Sequence, residues 1–197
     1  RYPPVRGESV GLINQAPLDQ AALNSPEVVW DIGTGTGVIA AILVARGVNQ
    51  VIATDASSRA LRCAAQNIQR LKMQDKISLV EANLFPEGRA DLIVCNPPWL
   101  PAKANTSIER AVYDPKSQML KGFLNGAASR LNKDGEAWLV MSNLAESIGL
   151  RSADDLQNWI KQAGLVVKEK LDTLPVHARS REQSDPLYEA RSKEVTS

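Results

Sequence analysis

The chain has 197 residues, of which 44% are hydrophobic and 23% are charged, so its composition is that of one globular domain with a substantial core. Its net charge of +1 argues against a strongly basic nucleic-acid-binding domain, although a local basic patch is compatible with it. One histidine and two cysteines, Cys63 and Cys95, exclude a disulfide framework and a Cys-rich zinc site, and we predict no metal site.

Cellular location is predicted from the same features. No apolar run reaches the roughly 18 residues that a membrane span needs, and residues 1–30 do not have the pattern of a signal peptide. Both cysteines are expected to be buried, reduced thiols, so we predict a cytoplasmic protein without membrane contact. The chain opens at Arg1, and residues 194–197 resemble the start of a strand, so we expect both ends to be cut from a longer protein.

The elements follow one another in a regular order after a polar, proline-containing segment at residues 1–26. Short apolar runs predict strands at residues 28–32, 51–54, 77–80, 91–95, 137–141 and 165–171. Apolar residues at helical spacing predict helices over residues 38–46, 61–71, 119–131 and 156–163. This alternation predicts an α/β domain over residues 27–197, with a mostly parallel sheet and helices on both faces.

Polar residues mark several boundaries between these elements. Ser57 is a predicted N-cap, and Asp114 with Pro115 is typical of an N-cap followed by the first helical residue. Residues 133–135, Lys-Asp-Gly, predict a turn before the fifth strand. Ligands in such sheets bind beyond the carboxyl ends of the strands, so the residues that follow each strand are the candidate site.

A glycine-rich turn, residues 31–37, follows the first predicted strand with the sequence Asp-Ile-Gly-Thr-Gly-Thr-Gly. Glycines let the backbone turn tightly and approach a ligand, and the helix start behind them offers free N–H groups. A dinucleotide fingerprint would require glycine or alanine at position 38, where Val38 stands, so pyrophosphate binding is disfavoured. Asp31 is placed to receive a cationic ammonium group instead, directly or through water.

Asp55 ends the second predicted strand. A carboxylate at this place can accept hydrogen bonds from both hydroxyls of a ribose, a feature that NAD sites and S-adenosylmethionine (SAM) sites share. Asn83 follows the third strand and offers a side-chain carbonyl oxygen as an acceptor.

The fourth predicted strand ends at Asn96-Pro97-Pro98-Trp99. Two consecutive prolines fix the backbone and remove two N–H donors, which leaves the Pro97 carbonyl free to accept a hydrogen bond. The Asn96 side-chain oxygen is a second acceptor, and together they can hold a planar NH2 group with its lone pair turned toward a methyl donor. Trp99 can stack on such a planar group.

The order of these motifs resembles class I SAM-dependent methyltransferases of the "methyltransferase small" group over roughly residues 1–172, with residues 96–99 similar to their NPPY-type motif IV. Residues 96–101, Asn-Pro-Pro-Trp-Leu-Pro, look much like release-factor glutamine N5-methyltransferases, and also like rRNA adenine-N6 and guanine-N2 methyltransferases. Two residues depart from the pattern: Trp99 replaces tyrosine or phenylalanine, and Asn83 replaces an aspartate that accepts a hydrogen bond from adenine.

The resemblance implies a Rossmann-like sheet of seven strands with an antiparallel last hairpin, whose seventh strand would start near Val195. Residues 1–26 would form a lid over the cofactor, SAM. The implied cofactor-binding residues are Asp31, Gly33, Thr34, Gly35, Gly37, Asp55, Ala56, Asn83, Leu84 and Asn96. The implied catalytic residues are Asn96, Pro97, Pro98 and Trp99.

The predicted function is therefore SAM-dependent methyl transfer to a planar amide or exocyclic amine nitrogen, with no dedicated general base. The acceptor would be a glutamine side chain of a protein or a base amine of RNA or DNA, the latter implying nucleic-acid binding. Two other hypotheses stay open at this point: an NAD(P)-binding oxidoreductase and a SAM-binding module without catalysis.

Overall fold

The computed structural model describes residues 26–102 and 113–172, which form a parallel sheet with helices packed on it. Within these residues the strands are β1 (Val29–Ile32), β2 (Val51–Asp55), β3 (Ile77–Glu81), β4 (Ala90–Cys95) and β5 (Leu131–Leu139). Every neighbouring pair is parallel, and the order across the sheet is β3-β2-β1-β4-β5. The predicted α/β architecture is confirmed.

The helices lie between and after the strands. They are α1 (Val38–Ala45), α2 (Ser58–Arg70), α3 (Gln118–Arg130), α4 (Leu144–Ser147) and α5 (Asp155–Gln162). Ser57 caps α2 as predicted, because its hydroxyl accepts a hydrogen bond of 3.3 Å from the Ala60 N–H.

The start of α3 differs from the prediction, because a 3-10 turn over Pro115–Ser117 precedes the helix. The buried Asp114 still acts as the cap. Its two carboxylate oxygens accept hydrogen bonds from the backbone N–H groups of Met119 (2.9 Å) and Leu120 (3.0 Å). These bonds satisfy two of the donors that a helix start leaves free.

Side chains of β1 alternate between two apolar layers, one on each face of the sheet. Val29 packs with Leu43 of α1 on one face, whereas Trp30 and Ile32 pack with Phe123 of α3 on the other. All five of these side chains are 1% exposed or less. Burial on both faces explains why every residue of β1 except Asp31 is apolar.

The centre of the sheet brings the predicted motifs together. Ile32, the last residue of β1, pairs with Thr54 of β2 on one side and with Cys95 of β4 on the other. One residue further along, Gly33 and Asn96 therefore leave neighbouring strands at the same edge, where strands lie about 4.8 Å apart. The chain order reverses between β1 and β4, so this edge is the switch point at which such sheets bind ligands.

The fifth strand begins earlier than predicted and ends at Leu139. The predicted turn at residues 133–135 lies inside this strand, at an irregularity in its pairing. Asp134 has a left-handed φ of 64°, and the pairing of β5 with β4 shifts between Ala90 and Leu92. The turn residues thus interrupt the regular pairing, but the same strand continues after them.

The predicted sixth strand at residues 165–171 is not formed. These residues are described, but they pair with no strand of the described chain, and Val166 is 89% exposed. Lys168 forms an ion pair with Glu136 of β5, which is a side-chain contact and not a ladder of backbone hydrogen bonds. β-branched residues favour a strand only where a neighbouring backbone is available for pairing.

Two further predictions, the seventh strand near Val195 with its antiparallel hairpin and the lid at residues 1–26, fall almost entirely outside the described residues. In residues 26–102 and 113–172, no helix combines the length and the apolar character that crossing a membrane requires.

Candidate active site

Three glycines with positive φ shape the turn between β1 and α1. The φ angles of Gly33, Gly35 and Gly37 are 72°, 57° and 80°, values that other residues adopt only with strain. A Cβ on Gly33 would lie 2.5 Å from Met119 Cε, and one on Gly37 would lie 3.3 Å from Ala64 Cβ, so both places are closely packed. A Cβ on Gly35 would meet no atom nearer than 4.0 Å, so the middle of the turn faces open space.

Asp31 lies directly beneath this turn and is fully buried. Its Oδ2 accepts hydrogen bonds from the Thr34 hydroxyl (2.6 Å) and the Ala40 N–H (3.1 Å), which tie the turn to the first turn of α1. Its Oδ1 and the buried Thr36 hydroxyl have no hydrogen-bond partner among the described residues. Burial raises the pKa of Asp31 to about 6, against the lowering effect of the Thr34 and Ala40 hydrogen bonds.

Asp55 supports the same turn from the end of β2. Its Oδ2 accepts a hydrogen bond of 2.9 Å from the Gly35 N–H, and its Oδ1 accepts one of 2.8 Å from the Ser57 N–H. Each carboxylate oxygen can accept a second hydrogen bond, so these contacts leave capacity for a ligand. The next residue, Ala56, is exposed at the same edge.

Leu84 lies close to the end of β2, although it follows β3 in the chain. The Thr54 hydroxyl donates a hydrogen bond of 2.5 Å to the Leu84 carbonyl, and Leu84 has a left-handed φ of 73°. This hydrogen bond holds the segment after β3 against the end of β2, and the neighbouring Asn83 is exposed. The sequence analysis did not identify Thr54 as a site residue, because an apolar strand pattern does not indicate which contact a hydroxyl near the end of the strand will make.

Asn96 and Trp99 contact each other at the end of β4. The indole N–H of Trp99 donates a hydrogen bond of 3.1 Å to Asn96 Oδ1. Pro97 is buried, whereas Asn96, Pro98 and Trp99 are half-buried and therefore reachable from solvent. The predicted acceptor motif and the glycine turn thus share one edge of the sheet.

Met119 is a second residue that the sequence pattern did not single out for the site. It was assigned to the apolar face of its helix, yet its terminal methyl lies against the α-carbon of Gly33. Asp114 fixes this contact by accepting the Met119 N–H at the start of α3. The Asp114-Pro115 pair, which marks this helix start, was the sequence feature that could have indicated the position of Met119.

A cleft of about 460 Å³ lies at the opposite edge of the sheet. Its Asp91 carboxylate already accepts three hydrogen bonds, from the backbone N–H groups of Glu27 and Val28 and from the Asn132 side chain. These bonds hold the pKa of Asp91 below its usual value, with the Val28 bond as the main cause. The carboxylate in this cleft is therefore already occupied by structural hydrogen bonds, and the candidate active site is the carboxyl edge of the sheet.

Metal ligation finds no support in the described ranges, since no group of three or more His, Cys, Asp or Glu side chains converges there. The unpaired buried oxygens of Asp31 and Thr36 and the open space at Gly35 instead fit a polar organic ligand. The unpaired Asp31 oxygen in particular suits a cationic group, because a positive charge would favour the ionised carboxylate.

Comparison with known proteins identifies proteins that are similar to this chain. The family model described as "Methyltransferase small domain" matches residues 16–170. A release factor glutamine methyltransferase of Cereibacter sphaeroides is 43% identical over 176 residues, which cover 81% of this chain and 58% of that protein. A tRNA1(Val) (adenine(37)-N6)-methyltransferase of Pedobacter heparinus is 26% identical over 151 residues, which cover 74% of this chain and 62% of that protein.

A solved structure shares the fold. The ribosomal protein L11 methylase of Lactobacillus delbrueckii subsp. bulgaricus superposes with a TM-score of 0.59 at 21% identity, over 80% of this chain and 72% of that one. The chain spans about half of the length of the release factor relatives that it matches.

Proposed function

Because the chain belongs to the methyltransferase small-domain family, we propose that it transfers a methyl group from SAM to a planar NH2 nitrogen. The observation that carries this proposal is the register of β1 with β4, which leaves Gly33 and Asn96 side by side at the switch point. A methyl donor held by the glycine turn would then lie next to an acceptor held by Asn96.

The cofactor is proposed to occupy the open space at Gly35. Asp31 would face the ammonium group, and Asp55 would accept hydrogen bonds from the ribose hydroxyls. Asn83 and the backbone of Leu84 would contact the adenine. These three contacts come from the ends of β1, β2 and β3, which the parallel pairing aligns at one edge.

When bound, SAM supplies a methyl group that its sulfonium has already activated, so most of the catalysis comes from positioning. The nitrogen of an amide or an aryl amine is a weak nucleophile because its lone pair is delocalised. Asn96 Oδ1 and the Pro97 carbonyl would accept hydrogen bonds from its two N–H groups. These contacts would stabilise the positive charge that develops on the nitrogen as the N–C bond forms and the S–C bond breaks. One of these protons then leaves to solvent.

A glutamine amide of a protein is the acceptor that the comparisons favour, because the release factor relative is 43% identical over 81% of this chain. A base amine of RNA is the second candidate, and the tRNA relative at 26% identity favours it. In both cases the group to be methylated is a planar NH2, which is the chemistry that Asn96 and Pro97 are proposed to recognise.

Labelling of a cell lysate with tritiated SAM tests the proposal. We expect macromolecular label that depends on the added protein and is lost on protease digestion. Loss of label on nuclease digestion instead would assign the acceptor to nucleic acid. SAM binding in calorimetry without label in any fraction would show a binding module without catalysis and would contradict the proposal.

A further inference from the structure

We propose that Trp99 is a positioning residue, whose indole N–H orients the side-chain amide of Asn96 for the acceptor nitrogen. This inference rests on the proposed methyl transfer. It assigns to Trp99 a role that a phenylalanine at this position could not fill, since phenylalanine has no hydrogen-bond donor.

The backbone at this site is fixed, but the Asn96 side chain is not fixed by the backbone alone. Asn96 follows the buried Cys95 at the end of β4 and precedes two prolines, whose rings set φ. The terminal torsion of an asparagine side chain is broad, so the amide plane can still rotate. Within residues 26–102 and 113–172, the 3.1 Å hydrogen bond from Trp99 restricts this rotation.

The chemistry of the two partners also decides which end of the amide faces the indole. An indole nitrogen is a donor only, so the atom of Asn96 that it contacts must be the oxygen. An amide oxygen has two lone pairs, and the indole uses one of them. The other lone pair stays available for an N–H of the acceptor.

The same hydrogen bond fixes the indole ring. Because the Nε1–H points along the ring plane toward Asn96, the rotation of the ring about its side-chain torsions is limited, and its face keeps one orientation. A planar acceptor that donates to Asn96 would find this face already oriented for stacking. The acceptor would then lose less entropy on binding in its reactive position.

Three variants separate this role from simple packing. Trp99→Phe keeps an aromatic face but removes the donor, and a benzothienylalanine at position 99 keeps the bicyclic ring and removes only the N–H. Trp138→Phe is the matched control, because the Trp138 indole donates a 3.0 Å hydrogen bond to Glu136 on β5, away from the acceptor motif.

The kinetic test uses the lysate fraction that the wild-type protein labels with tritiated SAM. We expect both changes at position 99 to lower kcat by about three- to tenfold, the value of one hydrogen bond, with an unchanged Kd for SAM. Trp138→Phe should leave both quantities unchanged. A kcat for the benzothienylalanine protein equal to that of the wild type would overturn the proposal.

A second measurement does not depend on activity. In nitrogen-15 NMR spectra of the SAM-saturated protein, the Asn96 side-chain NH2 resonances should be sharp in the wild type. They should shift and broaden in Trp99→Phe and not in Trp138→Phe. Unchanged Asn96 resonances in Trp99→Phe would refute the orienting role, whereas an inactive wild type with the expected spectra would refute the methyl transfer alone.

Discussion

At the scale of single residues, the glycine turn depends on one buried carboxylate. One oxygen of Asp31 accepts hydrogen bonds from Thr34 and Ala40, while its other oxygen is buried with no partner in the part of the chain that the structure describes. A neutral hydrogen-bond acceptor could hold the turn with a smaller desolvation penalty, since burying an ionised group is unfavourable. The raised pKa of about 6 is the signature of that cost.

Asp31→Asn tests this cost through the pH dependence of stability. Since the pKa of Asp31 rises from 3.8 to about 6 on folding, its contribution is fully present below pH 3.8 and is lost as pH rises through 6. Between pH 5 and pH 8 the wild type should therefore lose about 1.5 kcal/mol relative to the asparagine variant. Urea denaturation at the two pH values measures this difference, and parallel pH profiles would contradict the assignment.

Binding of SAM should show the opposite trend, because an ammonium group would favour the ionised Asp31. The wild-type affinity is expected to rise about tenfold from pH 5 to pH 7, as the carboxylate with a pKa of about 6 ionises. Asp31→Asn should bind with a weaker affinity that changes little with pH. Calorimetric titration at both pH values supplies the comparison.

The cofactor site and the acceptor site should separate on mutation. Asn96→Ala is expected to keep the wild-type Kd for SAM and to lose most of kcat, because the side-chain amide that it removes is proposed to contact the acceptor. Gly35→Arg should lose SAM binding, since its side chain would enter the open space of the turn. Gly35→Ala is the control for Gly35→Arg, because it introduces the strain of a positive φ without a large side chain. If Asn96→Ala turned over at the wild-type rate, the proposed acceptor site would be refuted.

At the scale of elements, α3 determines where the residues proposed to contact adenine lie. Gly122 and Gly126 stand one turn apart on this helix, and a Cβ on them would meet Leu84 Cδ1 at 2.8 Å and Phe85 Cε2 at 2.4 Å. Phe85 also stacks on Phe123, with ring centroids 6.0 Å apart. The two glycines thus let the segment after β3 lie directly on the helix.

Gly126→Ala tests this packing against the ordinary preference of a helix. Alanine normally stabilises a helix by about 1 kcal/mol over glycine, but crowding of Phe85 is expected to cost about 1–3 kcal/mol and to outweigh it. We therefore expect a lower free energy of unfolding and, through displacement of Leu84, weaker SAM binding. Asn125→Ala, at the exposed neighbouring position, is the control and should be neutral or slightly stabilising in the same urea titration.

At the scale of the whole molecule, the sheet order places the proposed cofactor and acceptor residues on either side of β1. Asp55 follows β2 and Asn96 follows β4, the two strands that flank β1. A ligand spanning this edge would tie both halves of the sheet together, and its binding should stabilise the whole domain.

Thermal unfolding with different cofactors tests this consequence. SAM at a hundred times its Kd should add about 2.7 kcal/mol of stability, which corresponds to an increase in Tm of roughly 5–10 °C. NAD at the same concentration should leave Tm unchanged, because Val38 breaks the dinucleotide fingerprint. An increase with NAD and none with SAM would overturn the proposed cofactor.

The sequence by itself determined the features that depend on local patterns. The apolar runs located the five strands within a few residues of where they lie, except that β5 starts six residues earlier than the predicted position 137. Ser57, Asp114 and the glycine turn were recognisable because capping and positive φ act within a few residues. The edge at which the motifs meet also followed, since all parallel strands end on the same side.

The tertiary structure alone decided which groups touch across that edge. The Trp99 contact with Asn96, the Thr54 hydrogen bond to Leu84 and the Met119 contact with Gly33 need side-chain directions that no sequence pattern contains. It also decided that residues 165–171 form no strand among the described residues, although their pattern favours one. A strand exists through pairing with a neighbour, and the presence of that neighbour is a property of the folded chain and not of the segment itself.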